Sequence, residues 1–303
     1  MNGKEFALLV KLIGDAKLHG VFSYAPTTVS KLEREFVSYQ AENAHFSVSD
    51  LLYMLTAFER ISDLNNMHRL IETVIDQVPS AIKNSDSDML KLFKRFNQLG
   101  ILKMEKYEKL CHFLQDYACS RFEFMDKDQI LDFAEFMQQI GLWHWDQMIM
   151  SQIEAHFSAN YVQYDVTQMC RIVNLVGSNY LQSEDLLSLI EDSLKLRLNH
   201  MVKNELKTDE FITGQNLNSL AEGLSALGDA SRKRLFSLMK TMVILAHRGG
   251  RKVLIDEQRL LVKFIKVLAD MQVSVGKELK NIIDEAVEHK ITQGAASWDK
   301  AKF

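Results

Sequence analysis

A chain of 303 residues, 47% hydrophobic and 25% charged, is long enough for several cores or for one repeated array. Two prolines and 13 glycines are too few turn residues for a many-stranded β fold, and no uncharged apolar run is long enough for a membrane helix. The formal net charge of −4 excludes a surface that is basic throughout, so any grip on a nucleic-acid backbone has to be local.

The first predicted helix covers residues 4–17. Lys4, Lys11 and Lys17 alone would suit a targeting peptide, but Glu5 and Asp15 do not, and Ala7, Val10 and Ile13 are spaced as a buried stripe. A second helix is expected over 27–40, behind Pro26, whose missing N–H costs nothing at a helix start. Ser47-Val48-Ser49-Asp50 is N-cap chemistry for a helix running to Arg60. Its partner extends from Asn66 to about Val78, where Pro79 ends or bends it. After a solvated connection at 84–88, helices are expected over 89–99 and 106–117, then 129–140 and 145–157, then 167–176 and 184–198. A polar insertion follows at 199–213. Two more pairs, 217–227 with 232–246 and 258–268 with 277–289, precede a short tail carrying Trp298.

One frame recurs in the first helix of each pair: apolar residues at i, i+3 and i+6, often followed by glycine. It reads Ala7, Val10, Ile13, Gly14; Leu55, Phe58, Ile61; Phe93, Phe96, Leu99, Gly100; Ala134, Met137, Ile140, Gly141. It continues as Cys170, Val173, Val176, Gly177; Ala221, Leu224, Leu227, Gly228; and Val262, Ile265, Leu268. A period near 40 residues with one apolar stripe per unit is the pattern of stacked helical hairpins. Ordering a residue costs about 1–2 kcal/mol, and a buried Leu or Phe returns only about 1.5–3 kcal/mol. One hairpin therefore cannot fold alone, and stacking is obligatory. The expected architecture is all-α: one α-solenoid domain over 1–303, with five hairpins in 1–200, a polar insertion at 201–213, two hairpins in 214–291 and a tail at 292–303.

The segments Asp50-Leu51-Leu52-Tyr53-Met54-Leu55-Thr56-Ala57-Phe58-Glu59-Arg60-Ile61 and Asp88-Met89-Leu90-Lys91-Leu92-Phe93-Lys94-Arg95-Phe96-Asn97-Gln98-Leu99 carry a resemblance. They resemble the Leu-Leu-x-x-Leu-x-Ala-Phe-x-x-Leu first helix of organellar repeats: octotricopeptide, heptatricopeptide and FAST-kinase-type proteins. The resemblance implies a mitochondrial or plastid protein, expected here in the mitochondrial matrix, that acts in RNA processing or translation or as an accessory subunit of an organellar ribosome. The strand-rich nuclease-like domain that many members carry finds no match in this sequence, so no nuclease role is carried over.

The most asymmetric stretch is 231–252, which holds Arg232, Lys233, Arg234, Lys240, Arg248, Arg251 and Lys252 and no acid. Lys233, Lys240 and His247 lie seven apart, on one helix face. The stretch reads either as a patch that contacts RNA phosphates, with Arg248-Gly249-Gly250-Arg251 as a loop near the backbone, or as a solvated basic face. Lys91, Lys94 and Arg95, with Lys103, Lys106 and Lys109 beyond them, form a weaker basic region; Glu105 and Glu108 interleave with it, which favours ion pairs along helix faces. Trp143-His144-Trp145 could stack on bases or pack between repeats. Met137, Met148, Met150 and Met169 suit adaptable packing or a groove for a partner helix.

No metal set is expected. Cys111, Cys119 and Cys170 are an odd number without a C-x-x-C and read as reduced, buried thiols. Cys111-His112 lies two turns from Cys119, His144 lacks a ligand at i+3 or i+4, and Asp126, Asp128 and Asp132 suit a helix N-terminus rather than a calcium loop. The expected function is accordingly non-enzymatic, with no cofactor, small-molecule substrate or membrane insertion. One reading is a subunit of a mitochondrial ribonucleoprotein that docks proteins and RNA. The other is a protein–protein scaffold, for instance an accessory subunit of a respiratory complex, with no RNA contact.

Overall fold

The computed structural model describes residues 3–18, 31, 34–35, 46–61, 68–81, 86–103, 108–141, 146–178, 183–203, 212–272 and 274–300. The expected helix at 27–40 lies largely outside them, as do Pro26, Lys106, Trp143-His144-Trp145 and most of the 201–213 insertion. Among the described residues all regular structure is helical, in 14 α-helices with short 3₁₀ turns at Ile101–Lys103, Phe122–Phe124 and Tyr161–Gln163. The helices are α1 Gly3–Leu18, α2 Val48–Ile61, α3 His68–Ala81, α4 Asp86–Gln98, α5 Glu108–Arg121, α6 Lys127–Ile140 and α7 Asp146–Asn160. They continue as α8 Val166–Ser178, α9 Glu184–Lys203, α10 Gly214–Ala226, α11 Asp229–Arg248, the single turn α12 Val253–Asp256, α13 Gln258–Met271 and α14 Lys277–Lys300.

The chain clusters into two compact units, Met1–Gln129 and Ile130–Phe303. In the first, α2 packs along α1 and also meets α3 and α4. Ala7 and Val10 of α1, Leu51, Met54 and Leu55 of α2, and Phe93 and Phe96 of α4 are buried there. In the second, α8, α10 and α13 lie side by side as one layer, and α9, α11 and α14 as another; α8 joins α9 and α10 joins α11 as hairpins. The apolar stripe explains the first layer: Cys170, Val173 and Val176, then Ala221, Leu224 and Leu227, are all buried between neighbours.

Helices α2, α6, α8 and α10 each start on a side-chain cap, whereas α13 begins at Glu257 without one. Ser47 and Asp50 exchange side-chain and backbone hydrogen bonds, with Oδ2 of Asp50 accepting from the Ser47 N–H (2.9 Å) and Oγ of Ser47 from the Asp50 N–H (3.2 Å). Asp126 with Gln129 and Asp165 with Gln168 repeat the reciprocal pair, and the Thr213 hydroxyl accepts from the Asn216 N–H. These caps satisfy helix-end donors and fix where these four helices begin. Asp126 thus serves as a cap.

The recurring glycine has two separate jobs. Gly100 and Gly141 have φ of 72° and 70°, the left-handed conformation that closes a helix. Gly14 and Gly177 stay helical and admit the next repeat: a Cβ on Gly14 would lie 2.8 Å from the Ala57 Cα, and one on Gly177 would lie 2.2 Å from the Gly223 carbonyl oxygen. In both units the glycine after the third frame position meets a small residue just ahead of the second frame position of a later helix.

Four expectations change. The frame of the last hairpin is displaced by one residue: Val262 and Ile265 are 63% and 39% exposed, and Leu260, Leu261, Phe264 and Val267 are the buried set. Both stripes on α13 have the i, i+3, i+6 spacing; packing against α10 and the Phe236–Phe264 ring contact (5.4 Å between centroids) chooses between them. Helix α9 runs on to Lys203 because Leu194, Leu198 and Met201 continue its buried stripe into the expected insertion. Helix α14 likewise reaches Lys300, well into the expected tail. Pro79 sits inside the last turn of α3, which closes at Ala81.

Candidate functional site

The basic stretch 231–252 occupies α11 and the turn after it. The acids absent from its own sequence come from the helices on either side. Arg234 meets Glu184 (3.0 Å) and Glu191 (3.1 Å) of α9. Arg248 forms a two-pronged pair with Glu278 of α14, both bonds at 2.7 Å, and Lys252 meets Glu285 at 2.7 Å, with His247 beside the same carboxylate at 3.9 Å. The hydrogen bond and charge of Arg248 hold Glu278 below the usual carboxylate range, and those of Lys252 do the same for Glu285. In return Glu278 raises Arg248 and Glu285 raises Lys252.

The other cations of the stretch are placed differently. Arg232 donates to the Leu227 carbonyl oxygen and lies 3.8 Å from Asp229 within the first turn. Arg251 donates to the Ile212 carbonyl oxygen at 3.0 Å. Lys240 lies 5.7 Å from the centre of the Phe236 ring, and Lys233 is exposed. In the weaker region Lys91 pairs with Asp88 at 3.0 Å, Arg95 reaches Glu59 of α2 and Gln98 at 3.1 Å, and Lys94 is exposed.

Ion pairs of this kind link neighbouring helices that carry the apolar frame, with partners 36 to 45 residues apart. Asp15 of α1 pairs with Arg60 of α2, Glu59 with Arg95, and Asp132 and Glu135 of α6 with Arg171 of α8. In the second unit Glu222 of α10 pairs with Lys263 of α13. Burial alone would lower the Arg171 pKa, but the hydrogen bonds and charges of Glu135 and Asp132 outweigh it and hold the guanidinium above its ordinary value.

The thiols are buried. Burial, with Asp165 adding to it, pushes Cys170 up to about 12, and burial followed by the charge of Glu108 raises Cys111. The side chain of Cys119 lies outside the described residues. Met137, Met150 and Met169 are buried, as adaptable packing requires. Among the described residues no three His, Cys, Asp or Glu converge as a metal-ligand set, and no helix is long and apolar enough to cross a membrane.

A second surface, with only a faint mark in the sequence, lies on α9. The 3₁₀ turn Tyr161–Gln163 packs against α9, where Nη2 of Arg197 donates to the Val162 carbonyl oxygen at 2.7 Å. Beside this bond opens a groove of about 360 Å³, lined by Tyr161, Val162, Val166, Leu196 and Met201, with Arg197 and His200 among them. Val162 and Leu196 are 70% and 68% exposed. The legible signal was the acid-free run from Ser193 to Lys203, in which three leucines alternate with Lys195 and Arg197. Comparison with protein-family models and with curated proteins finds no match.

Proposed function

We propose that this chain is a non-enzymatic helical-repeat scaffold, a seven-hairpin α-solenoid in its finer architecture, that docks protein subunits within a larger mitochondrial assembly. One observation carries the choice of protein over RNA. Three of the seven cations of 231–252 that sequence singles out, Arg234, Arg248 and Lys252, meet carboxylates of α9 and α14, and Arg232 and Arg251 donate to backbone carbonyl oxygens, while exposed apolar side chains remain at Tyr161, Val162, Leu196, Val262 and Ile265. A nucleic-acid surface needs the opposite, cations left to neutralise phosphates. The mitochondrial placement draws its support from the resemblance of residues 50–61 and 88–99 to organellar repeats. Raised, buried thiols at Cys111 and Cys170 fit packing rather than nucleophilic chemistry.

The test is a salt titration of the purified chain with fluorescein-labelled oligouridylate, between about 50 and 200 mM salt. The scaffold reading expects no salt-dependent binding. A slope of about −0.7 per phosphate contacted, lost on Arg248→Glu and Arg251→Glu, would overturn it in favour of a ribonucleoprotein subunit.

A further inference from the structure

We propose that the outer face of α13 takes a heptad-patterned helix of a partner protein, one whose flanks carry carboxylates. This deepens the scaffold reading and rests on it. In the layer of α8, α10 and α13, helix α13 packs against α10. Lys263 marks that side, since its ammonium reaches Asn218 and Glu222 of α10. At about 100° per residue, Val262, Ile265 and Ala269 all fall well round the helix from Lys263. All three are exposed, Val262 at 63% and Ile265 at 39%. The outer flank of a helical array is ordinarily polar, whereas this one is an aliphatic stripe. Elsewhere in the layer such stripes are buried between helices, as at Cys170, Val173 and Val176 of α8 and Ala221, Leu224 and Leu227 of α10. A helix laid on α13 continues that layer.

Spacing sets the shape of the partner. Val262, Ile265 and Ala269 stand at the a, d and a positions of a heptad, so the face suits a helix rather than an extended segment. Charge sets its flanks. Arg259 and Lys266 both fall at e, beside the stripe. Both are exposed, and among the described residues neither makes an ion pair or a hydrogen bond. Asp270 falls at b, further round the helix from the stripe. Charges at e select the partner of such a seam. A second copy of α13 set antiparallel about Ile265 would bring Lys266 close to the same residue of the other copy. Set parallel, it would face e with g, where Leu261 and Leu268 stand, and no carboxylate would meet either cation. Glutamates on the flanks of another helix meet both cations in either direction. RNA fits poorly, because the stripe holds no aromatic ring on which a base could stack and is apolar between its two cations.

The probe is a fluorescein-labelled peptide of about three heptads with leucine at a and d and glutamate at e and g, titrated against the full chain by anisotropy. Its twin carries lysine in place of glutamate, and like charges at e and g keep each peptide from pairing with itself. The net charge of −4 by itself would favour the lysine twin. The glutamate peptide is nevertheless expected to bind at least about tenfold tighter at about 50 mM salt. Val262→Glu, on an exposed side chain and checked by circular dichroism, should weaken it about tenfold or more; Val162→Glu, on the turn after α7, should not. Arg259→Glu combined with Lys266→Glu should reverse the order, so that the lysine twin binds tighter, an outcome that loss of folding cannot produce. No binding of the glutamate peptide, equal binding of the twins, or an order that the charge swap leaves unchanged overturns the docking face while leaving the scaffold reading intact. Sedimentation equilibrium of the chain alone is expected to show no dimer formed through this face; a dimer lost on Val262→Glu would seat a second copy there and overturn the partner helix. Displacement of the peptide by unlabelled oligouridylate, with a steep salt slope, overturns both readings.

Discussion

Replacing Gly177 by alanine tests whether the glycine of the repeat frame is there for helix crossing. The new Cβ would lie 2.2 Å from the Gly223 carbonyl oxygen and 2.7 Å from its carbonyl carbon and Cα. All three are backbone atoms, so no rotamer change relieves the contact. Restoring an ordinary approach of about 3.5 Å parts α8 from α10 by about 1 Å and loosens the packing of Val173, Val176 and Leu224 along the seam. Overpacking of this sort costs about 1–3 kcal/mol, and a rigid backbone clash belongs in the upper half of that range. Alanine returns about 1 kcal/mol through helix propensity, which leaves a net loss of about 1–2 kcal/mol. Because the chain forms two compact units, a single unfolding midpoint is ill-defined. The assay is therefore urea denaturation read by hydrogen exchange on peptides from α8 and α10. Gly276→Ala, with nothing within 4 Å of its Cβ and placed at the start of α14, is the control and should change protection in α8 and α10 by less than about 0.5 kcal/mol. Adding Gly223→Ala to Gly177→Ala should cost less than the two losses summed, since the helices have already parted. A Gly177→Ala protein more stable than the parent in α8 and α10 would refute close crossing as the reason for this glycine.

Arg171→Ala should destabilise the second unit by about 1–3 kcal/mol by stripping Glu135 and Asp132 of a shared charged partner, measured in the same exchange experiment; no change would mean that the repeat-to-repeat pairs are ornamental. The α11–α14 contact should respond to acid. Glu278 and Glu285 sit below their usual 4.5 when folded, so their contribution is present above that value and is lost as pH falls through the lowered folded values. At the alkaline end Lys252, raised above 10.5, keeps its contribution until pH climbs through its folded value. Protection factors in α14, each rate divided into the intrinsic exchange rate at that pH, should fall first below about pH 4.5 and be flat around neutrality; a loss of protection between pH 6 and 8 would contradict these pairs. Cys170, pushed up to about 12 and fully buried, should resist iodoacetamide at pH 8 in the folded protein, as read by peptide mass spectrometry. Rapid alkylation there would show that the seam between α8 and its neighbours opens.

Much of the fold was legible because helix formation is local. Apolar spacing near 3.6, Ser, Asp and Thr at N-caps, and few glycines or prolines determine an all-helical chain, and most predicted bounds fall within a few residues of those observed. The i, i+3, i+6 frame was legible too where it is buried, as at Cys170, Val173 and Val176 of α8 and Ala221, Leu224 and Leu227 of α10. The candidate site was far less so. Sequence shows that 231–252 holds no acid, but Glu184, Glu191, Glu278 and Glu285 lie 30 or more residues from the cations they meet, and only packing of α9 and α14 on α11 brings them there.

Spacing by itself determined that α13 would be amphipathic, yet it could not choose between Val262, Ile265 and Leu268 and the adjacent Leu261, Phe264 and Val267. Tertiary structure decided that question by setting α13 against α10. The same division holds for the glycines: sequence placed them at one frame position, and only the path of the chain assigned Gly100 to a helix end and Gly177 to a helix crossing. A residue's periodicity depends on its own helix, whereas the partner of its side chain depends on where other helices lie, and that is a property of the whole packed unit.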